Sequence, residues 1–211
     1  MTVEGYTGLF GSGKTYAAVM ETYKRRQQNP DMPVMTNLTR LNLPGAPVEY
    51  LWGYDDPDDM LKAMARFNGG TMLLDEVGVF LPARIWNRMP PELSWKWNQL
   101  RKDRVDLLWT CIRPANVVKD LRDITMETHW CETWQGVSKL VPGLGFFTQS
   151  TYSYTAVGDK RYFQTKSFRR FRPELAGQLY DTMGKVKAPA FLERTKRTPP
   201  ASDATPQAGD G

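Results

Sequence analysis

The sequence predicts an α/β fold in which a mainly parallel central sheet lies between two layers of helices. Three observations predict it. A glycine-rich stretch near the start, GLFGSGKT, joins a short apolar run to a helical pattern. Strand-like apolar runs then alternate with helical periodicity along most of the chain. The third run ends in two acids, Asp75 and Glu76, and α/β sheets bind ligands at such strand ends.

Five apolar runs bounded by turn residues predict the strands. In chain order they are TVEGYTG, MPVMTNL, GTMLLDE, VDLLWTCI and METHWCETW. Helices fit between them. The first helix follows the glycine-rich stretch and ends at Asn29-Pro30. Its apolar residues recur at three- and four-residue spacing, which places them on one face: Tyr16, Val19, Met20 and Tyr23.

Two later helices have clear signals of their own. In DDPDDMLKAMARFNGG, Asp56 can cap the helix, Pro57 suits its first position, and Gly69-Gly70 ends it. The segment PPELSWKWNQLRKD has an apolar face formed by Leu93, Trp97 and Leu100.

Composition favours one globular domain with a small appendage. The chain has 211 residues, 41% of them apolar, and a net charge of +5, which permits an acidic partner such as nucleic acid without requiring one. Cys111 and Cys131 lie in strand-like runs, which favours buried thiols over the alternative of one disulfide. We see no apolar run of about eighteen residues and no basic-then-apolar leader, so we expect neither a membrane span nor export.

The stretch GLFGSGKT fits the phosphate-binding P-loop pattern G-x-x-x-x-G-K-[ST]. Glycines let successive backbone N–H groups turn toward a phosphate, which bulky side chains would prevent. Lys14 would reach the outer phosphates and the Thr15 hydroxyl would bind Mg²⁺, both at the positive end of a helix. A chance match is the alternative, but the order of strand, loop and helix agrees with the motif. The predicted nucleotide-binding residues are Gly8, Gly11, Ser12, Gly13, Lys14, Thr15 and Tyr16.

The acidic pair after the third strand is the second chemical signal. Asp75 would hold Mg²⁺ through water, together with Thr15, and Glu76 would orient or deprotonate an attacking water. Alone, an acid after an apolar strand is commonly a solvated strand end. Combined with the upstream glycine loop, the pair predicts an ATP-hydrolysing site that uses Mg²⁺, with Glu76 and Lys14 as catalytic groups.

These motifs resemble those of a known family. GLFGSGKT, VMTNL, LLDEVGVFLPAR, QLRKDRVDLLWTCIRPANVVKDLRD and LYDTM are similar to the ATPase domain of zonula occludens toxin (Zot) proteins and filamentous-phage gene I assembly proteins, relatives of the FtsK and HerA translocases. The resemblance covers residues 3–185. It implies a RecA-like P-loop core with an additional strand and a ring of identical subunits, such as a hexamer. It also implies that ATP hydrolysis moves DNA or drives virion assembly, with other phage assembly or capsid proteins as partners.

The resemblance also shapes the expected organisation. We expect the ATPase domain to span 1–185, with 135–172 as a β-hairpin extension followed by a helix, and 186–211 as a disordered Pro/Ala/Gly-rich tail. Filamentous-phage assembly proteins continue into a membrane span that this chain lacks. We therefore expect a protein of the bacterial host cytoplasm, peripheral to the inner membrane or associated with the virion.

One departure from the family leaves other functions open. The family has a Gln that senses the γ-phosphate just before its Arg-Pro pair, and this chain has Ile112 there. The role must pass to Thr110, to Arg113 or to nothing. An ATP-binding scaffold or interaction protein with little hydrolysis is therefore one alternative. A soluble genome-packaging ATPase of an icosahedral membrane-containing phage is another, favoured by the missing span.

An arginine from an adjacent subunit could stabilise the charge that develops on the γ-phosphate. We favour Arg101 for this catalytic role over Arg84, Arg88 and Arg104, although each also suits a solvated surface position.

Residues 160–172, KRYFQTKSFRRFR, interleave basic and aromatic residues. They could bind nucleic acid, because basic groups neutralise phosphates while rings stack on bases. They could equally form an edge hairpin whose rings are core and whose charges protect the edge. The spacing alone does not say which face is buried.

Overall fold

A computed structural model describes residues 1–54, 56–84, 89, 91–137, 145–157, 160–170 and 173–181. Within these ranges, eight strands form one sheet. The strands are β1 (Val3–Thr7), β2 (Val34–Thr36), β3 (Val48–Tyr50), β4 (Thr71–Leu74), β5 (Asp106–Cys111), β6 (Glu127–Val137), β7 (Gly145–Val157) and β8 (Lys160–Arg170). The helices are α1 (Lys14–Gln28), α2 (Pro57–Arg66), α3 (Val77–Phe80), α4 (Pro91–Gln99), α5 (Lys119–Asp123) and α6 (Pro173–Leu179). In the part of the chain so described, no helix combines the length and apolarity needed to cross a bilayer.

The order of strands across the sheet is β3-β2-β4-β5-β1-β6-β7-β8. The first six are parallel to their neighbours, whereas β7 and β8 continue the sheet as antiparallel strands. Strand β5 follows β4 in sequence but lies between β4 and β1, which is the additional-strand arrangement that the resemblance implies. The predicted α/β P-loop fold, with its hairpin and helix extension, is therefore confirmed.

Two hydrophobic cores cover the two faces of the parallel strands. Alternate residues of β5 point to opposite faces, so that Leu107 and Trp109 join one core and Leu108 joins the other. The first core receives Trp97 of α4, and the second receives Val19 of α1. The helices therefore form two layers with the sheet between them.

The five strands and the three helices predicted in detail are present. The face predicted for α4 is buried, as are both cysteine thiols, which form no disulfide. Strand β3 was missed because its three residues are only partly buried and offer no apolar run. The predicted tail at 186–211 and the candidate Arg88 lie outside the described residues, and the boundary at residue 185 stays a prediction.

Candidate functional site

The loop between β1 and α1 has the backbone of a phosphate-binding loop. Gly8, Gly11 and Gly13 have φ angles of 145°, 71° and 78°, which residues with side chains rarely adopt. Helix α1 begins at Lys14, directly after Gly13. The N-terminus of a helix carries a partial positive charge, which favours an anion at this loop.

Lys14 places a positive charge at the mouth of this loop. Its side chain is buried, and its Nζ donates a hydrogen bond to the Leu9 carbonyl oxygen at 3.1 Å. The same Nζ lies 3.9 Å from Oε1 of Glu76, just beyond the end of β4, and β5 separates β4 from β1. A bound phosphate would find the ammonium already beside the loop amides.

Asp75 is buried at the end of β4 and receives two hydroxyl hydrogen bonds. Thr15 Oγ1 donates to its Oδ1 at 2.8 Å, and Thr110 Oγ1 donates to the same oxygen at 2.7 Å. Burial raises the pKa of the Asp75 carboxyl, while these hydroxyls and the charge of Lys14 act in the opposite direction. The first turn of α1 and the end of β4 therefore meet through the Thr15 hydroxyl.

The donors at this point suit Mg²⁺, which prefers oxygen ligands and is commonly held by one carboxylate together with phosphate oxygens and water. Thr15 and Asp75 supply a hydroxyl and a carboxylate. Among the described residues, no cluster of three or more His, Cys, Asp or Glu residues could hold a metal by itself. The two residues fit an ion that arrives with a nucleotide.

A buried amide fixes the backbone of Asp75. Asn37 Nδ2 donates to the Asp75 carbonyl oxygen at 2.8 Å, and the Asp75 N–H donates back to Asn37 Oδ1 at 2.7 Å. Asn37 directly follows β2, which pairs with β4. Sequence reasoning missed this residue, although a polar amide after a buried strand, at the same sheet edge as Asp75, was a usable signal.

Glu76 has an unusual backbone conformation that Thr110 supports. Its φ and ψ are 47° and 49°, the left-handed region, which costs free energy for a residue with a side chain. The Glu76 N–H donates to Thr110 Oγ1 at 2.9 Å, so one hydroxyl contacts both acidic residues. Burial raises the pKa of the Glu76 carboxyl, as does the charge of Asp75, while Lys14 lowers it. A carboxyl with a raised pKa is suited to accept a proton.

The remaining predicted site residues lie outside this group of four side chains. Ser12 is buried within the loop, and its N–H donates to the Leu9 carbonyl oxygen at 3.2 Å. The Tyr16 side chain is 2% exposed in the second core, so the predicted contact of residue 16 with a nucleotide would use its backbone, and it stays a prediction. Arg101 is exposed in the turn before β5, at the sheet edge opposite to the loop. Arg84 is also exposed. The structure therefore brings together Lys14, Thr15, Asp75 and Glu76, but not Arg101.

Comparisons with known proteins agree with this fold. Residues 3–146 match the model of the family described as Zonular occludens toxin (Zot). A solved N-terminal domain of zonular occludens toxin from Neisseria meningitidis superposes with a TM-score of 0.59 and 19% identity, covering 85% of this chain and 98% of that one. B204, the DNA-packaging ATPase from Sulfolobus turreted icosahedral virus, superposes with a TM-score of 0.51 and 8% identity, covering 78% and 97%.

At these identities, the structural likeness concerns the fold rather than the activity. The curated proteins contain no sequence match. The family model, however, spans more than half of the sequence. The chain therefore belongs to the Zonular occludens toxin (Zot) family.

Proposed function

We propose that this chain is a Mg²⁺-dependent ATPase that moves DNA during the assembly, export or packaging of a phage. The observation that carries the proposal is the meeting of four side chains at one sheet edge. The Thr15 hydroxyl lies 2.8 Å from the Asp75 carboxylate, and the Lys14 ammonium lies 3.9 Å from the Glu76 carboxylate. A cation, a hydroxyl and two acids around a glycine loop are the groups that phosphoryl transfer to water needs.

Each residue has a separate role in this mechanism. The loop amides and Lys14 bind the phosphates, and Lys14 exchanges its hydrogen bond to the Leu9 carbonyl for one to a phosphate oxygen. Thr15 and Asp75 hold Mg²⁺, which neutralises phosphate charge when it is bound. The Glu76 carboxylate orients the attacking water and accepts its proton.

The assembly proposed for this activity is a ring of identical subunits. Arg101 is exposed at the sheet edge opposite to the P-loop, so it suits the site of a neighbouring copy better than its own. The likeness in fold to B204, which is described as a DNA-packaging ATPase, supports DNA as the polymer. Membership of the Zot family supports a phage setting, with other assembly or capsid proteins as partners, in the cytoplasm of the host or on the virion.

The test is ATP hydrolysis by the full chain, measured with and without single-stranded and double-stranded DNA. A Glu76→Gln variant should still bind Mg-ATP but lose at least about 100-fold in turnover, because general bases contribute about 10²- to 10⁴-fold. Glu92→Gln is the matched control, since Glu92 is exposed on α4. Turnover that is unchanged in Glu76→Gln contradicts hydrolysis at this site.

Two alternative functions have observations of their own and are separated by the same assay. Ile112 replaces the family's sensor Gln, which favours an ATP-binding scaffold; this function requires Mg-ATP binding without turnover in the unmodified chain. The likeness to B204 favours a packaging ATPase of an icosahedral phage, which requires stimulation by double-stranded rather than single-stranded DNA.

A further inference from the structure

One side of β6, which we call the open face, reaches solvent where this strand leaves the parallel strands. His129 and Cys131 are buried, whereas the residues between and beyond them, Trp130 and Glu132, reach solvent. Trp130 Nε1 donates to Glu132 Oε1 at 3.0 Å, so both side chains lie on the same side of β6. Because successive residues of a strand alternate between faces, the even-numbered residues of β6 belong to the open face.

The pairing register carries this face across β7 and β8. Residues directly opposite each other in antiparallel strands share a face. Trp130 pairs with Tyr152, which pairs with Lys166. Following the same register, the residues of β8 on the open face are Arg161, Phe163, Lys166, Phe168 and Arg170.

The other face has a different composition along its central part. It continues the buried side of β6, and there β7 contributes Thr151 and Ser153, paired with Ser167 and Thr165 of β8. Lys160 and Arg169 lie on this second face near the two ends of β8. The register therefore gathers most aromatic residues of β8, together with three basic ones, on the open face.

This arrangement bears on the two interpretations of residues 160–172. An edge hairpin with core rings and protective charges needs its rings and charges on opposite faces. Lys166 and Phe168 are two positions apart in the same strand and pair with Tyr152 and Ser150, which are also two apart. Rings and positive charges thus occur together on the open face, which is continuous with the accessible side of β6.

We propose that this face, formed by the even-numbered residues of β6 and their register partners on β7 and β8, binds single-stranded nucleic acid. Positive residues would neutralise phosphates while aromatic residues stack on unpaired bases, which a duplex does not offer. Three basic residues of β8 on this face outnumber the one acid of β6 there, Glu132, which suits an anionic partner. The proposal rests on the proposed function only in naming DNA as the polymer.

The first experiment compares two double variants that remove the same charge from the same strand. Arg161→Ala with Lys166→Ala alters the open face, and Lys160→Ala with Arg169→Ala alters the other. Binding of a fluorescein-labelled oligothymidine is measured by anisotropy over a range of salt concentrations. We expect the open-face variant to bind at least about tenfold more weakly. The slope of log K against log salt concentration should fall in magnitude by about 1.4, since each neutralised phosphate of a single strand contributes about 0.7 to that slope. The other pair should stay within about twofold. Equal losses in both pairs, or none in either, overturn the proposal.

The second experiment tests stacking with uncharged changes. Phe168→Thr alters the open face, and Tyr162→Thr alters the other. We expect at least about fivefold weaker oligothymidine binding for Phe168→Thr alone, because aromatic stacking contributes to each bound base. Thermal unfolding and basal ATP hydrolysis, measured without DNA, should be unchanged in both. If the unmodified chain does not hydrolyse ATP, the proposed function is contradicted. Oligothymidine binding is measured independently of ATP hydrolysis, so it still tests the proposal for the open face. If Phe168→Thr instead changes the mass in solution and leaves oligothymidine binding intact, the face is a subunit interface and the proposal is wrong.

Discussion

Thr110→Val removes one hydroxyl from the centre of the candidate site while keeping the shape of the side chain. That hydroxyl accepts the Glu76 N–H at 2.9 Å and donates to Asp75 Oδ1 at 2.7 Å. Thr110 is fully buried, so water does not readily replace either partner. Thr110 is a positioning residue in this argument, because it acts on the reaction through the two acids.

The expected loss follows from the bonds removed. A hydrogen bond to a charged group contributes about 1.5–3 kcal/mol. At about 1.4 kcal/mol for each factor of ten, losing it in the transition state lowers kcat about 10- to 150-fold. The loop amides and Lys14 are untouched, so KM for ATP should change little. The carboxyl of Asp75 also loses a donor that lowers its pKa, so the acid limb of the kcat profile should move to higher pH.

The assay is steady-state ATP hydrolysis over a pH series, with two comparison variants. Thr22→Val removes another fully buried hydroxyl, one that donates to the Ala18 carbonyl within α1 at 2.9 Å, and should leave kcat unchanged. Thr110→Ser keeps the hydroxyl and should recover most of the activity. If Thr110→Val has the kcat and pH profile of the unmodified chain, the bridge between the two acids has no part in hydrolysis.

Three further predictions concern β1 and the residue pair after β4. Glu76→Gly relieves the left-handed backbone, so the free energy of unfolding should rise by about 1 kcal/mol while hydrolysis is lost; a lower Tm contradicts this. Gly5→Ala places a Cβ inside the van der Waals distance of the Trp109 ring and should lower the free energy of unfolding, measured in urea, by about 1–3 kcal/mol. Burial raises the pKa of Glu4, but its hydrogen bond with His129 and nearby positive charge outweigh burial and lower the pKa from 4.5 to about 2. Glu4 therefore contributes stability above pH 4.5 that is lost as the pH falls toward 2. Glu4→Gln should lower the free energy of unfolding by about 3 kcal/mol at pH 7 and weaken its dependence on pH, as measured by urea unfolding over a pH series.

Local signals in the sequence predicted the parts of the site that are local in the chain. The glycine loop and the start of α1 are contiguous, so their pattern is complete in GLFGSGKT. The roles of Asn37 and Thr110 depend instead on which strands are neighbours. Asn37 reaches Asp75 because β2 pairs with β4, and Thr110 does so because β5 lies beside β4. The order of strands in a sheet depends on long-range packing, so no short stretch of sequence predicts it.

The position of Arg101 relative to the P-loop follows from the direction of the strands. Arg101 and Arg104 flank the turn into the fourth predicted strand. In parallel strands, the residues before a strand and the loop after its neighbour lie at opposite edges of the sheet. The direction of β5 relative to β1 therefore separates Arg101 from the P-loop of its own subunit. This consequence was available from the sequence, since both strands had been predicted and their parallel direction expected.

Strand β6 joins the two proposals in one element. Its first residues, Glu127–Trp130, pair with β1, directly before the P-loop, and its later residues pair with β7. A Cβ on Gly8 would lie 2.5 Å from the Cys131 carbonyl oxygen, so the backbones of the loop and β6 are in close contact. Linkage between two binding sites is reciprocal, and packed elements transmit small displacements. Any effect of a ligand on the open face on nucleotide affinity at the loop must therefore equal, as a factor, the effect of the nucleotide on affinity at that face.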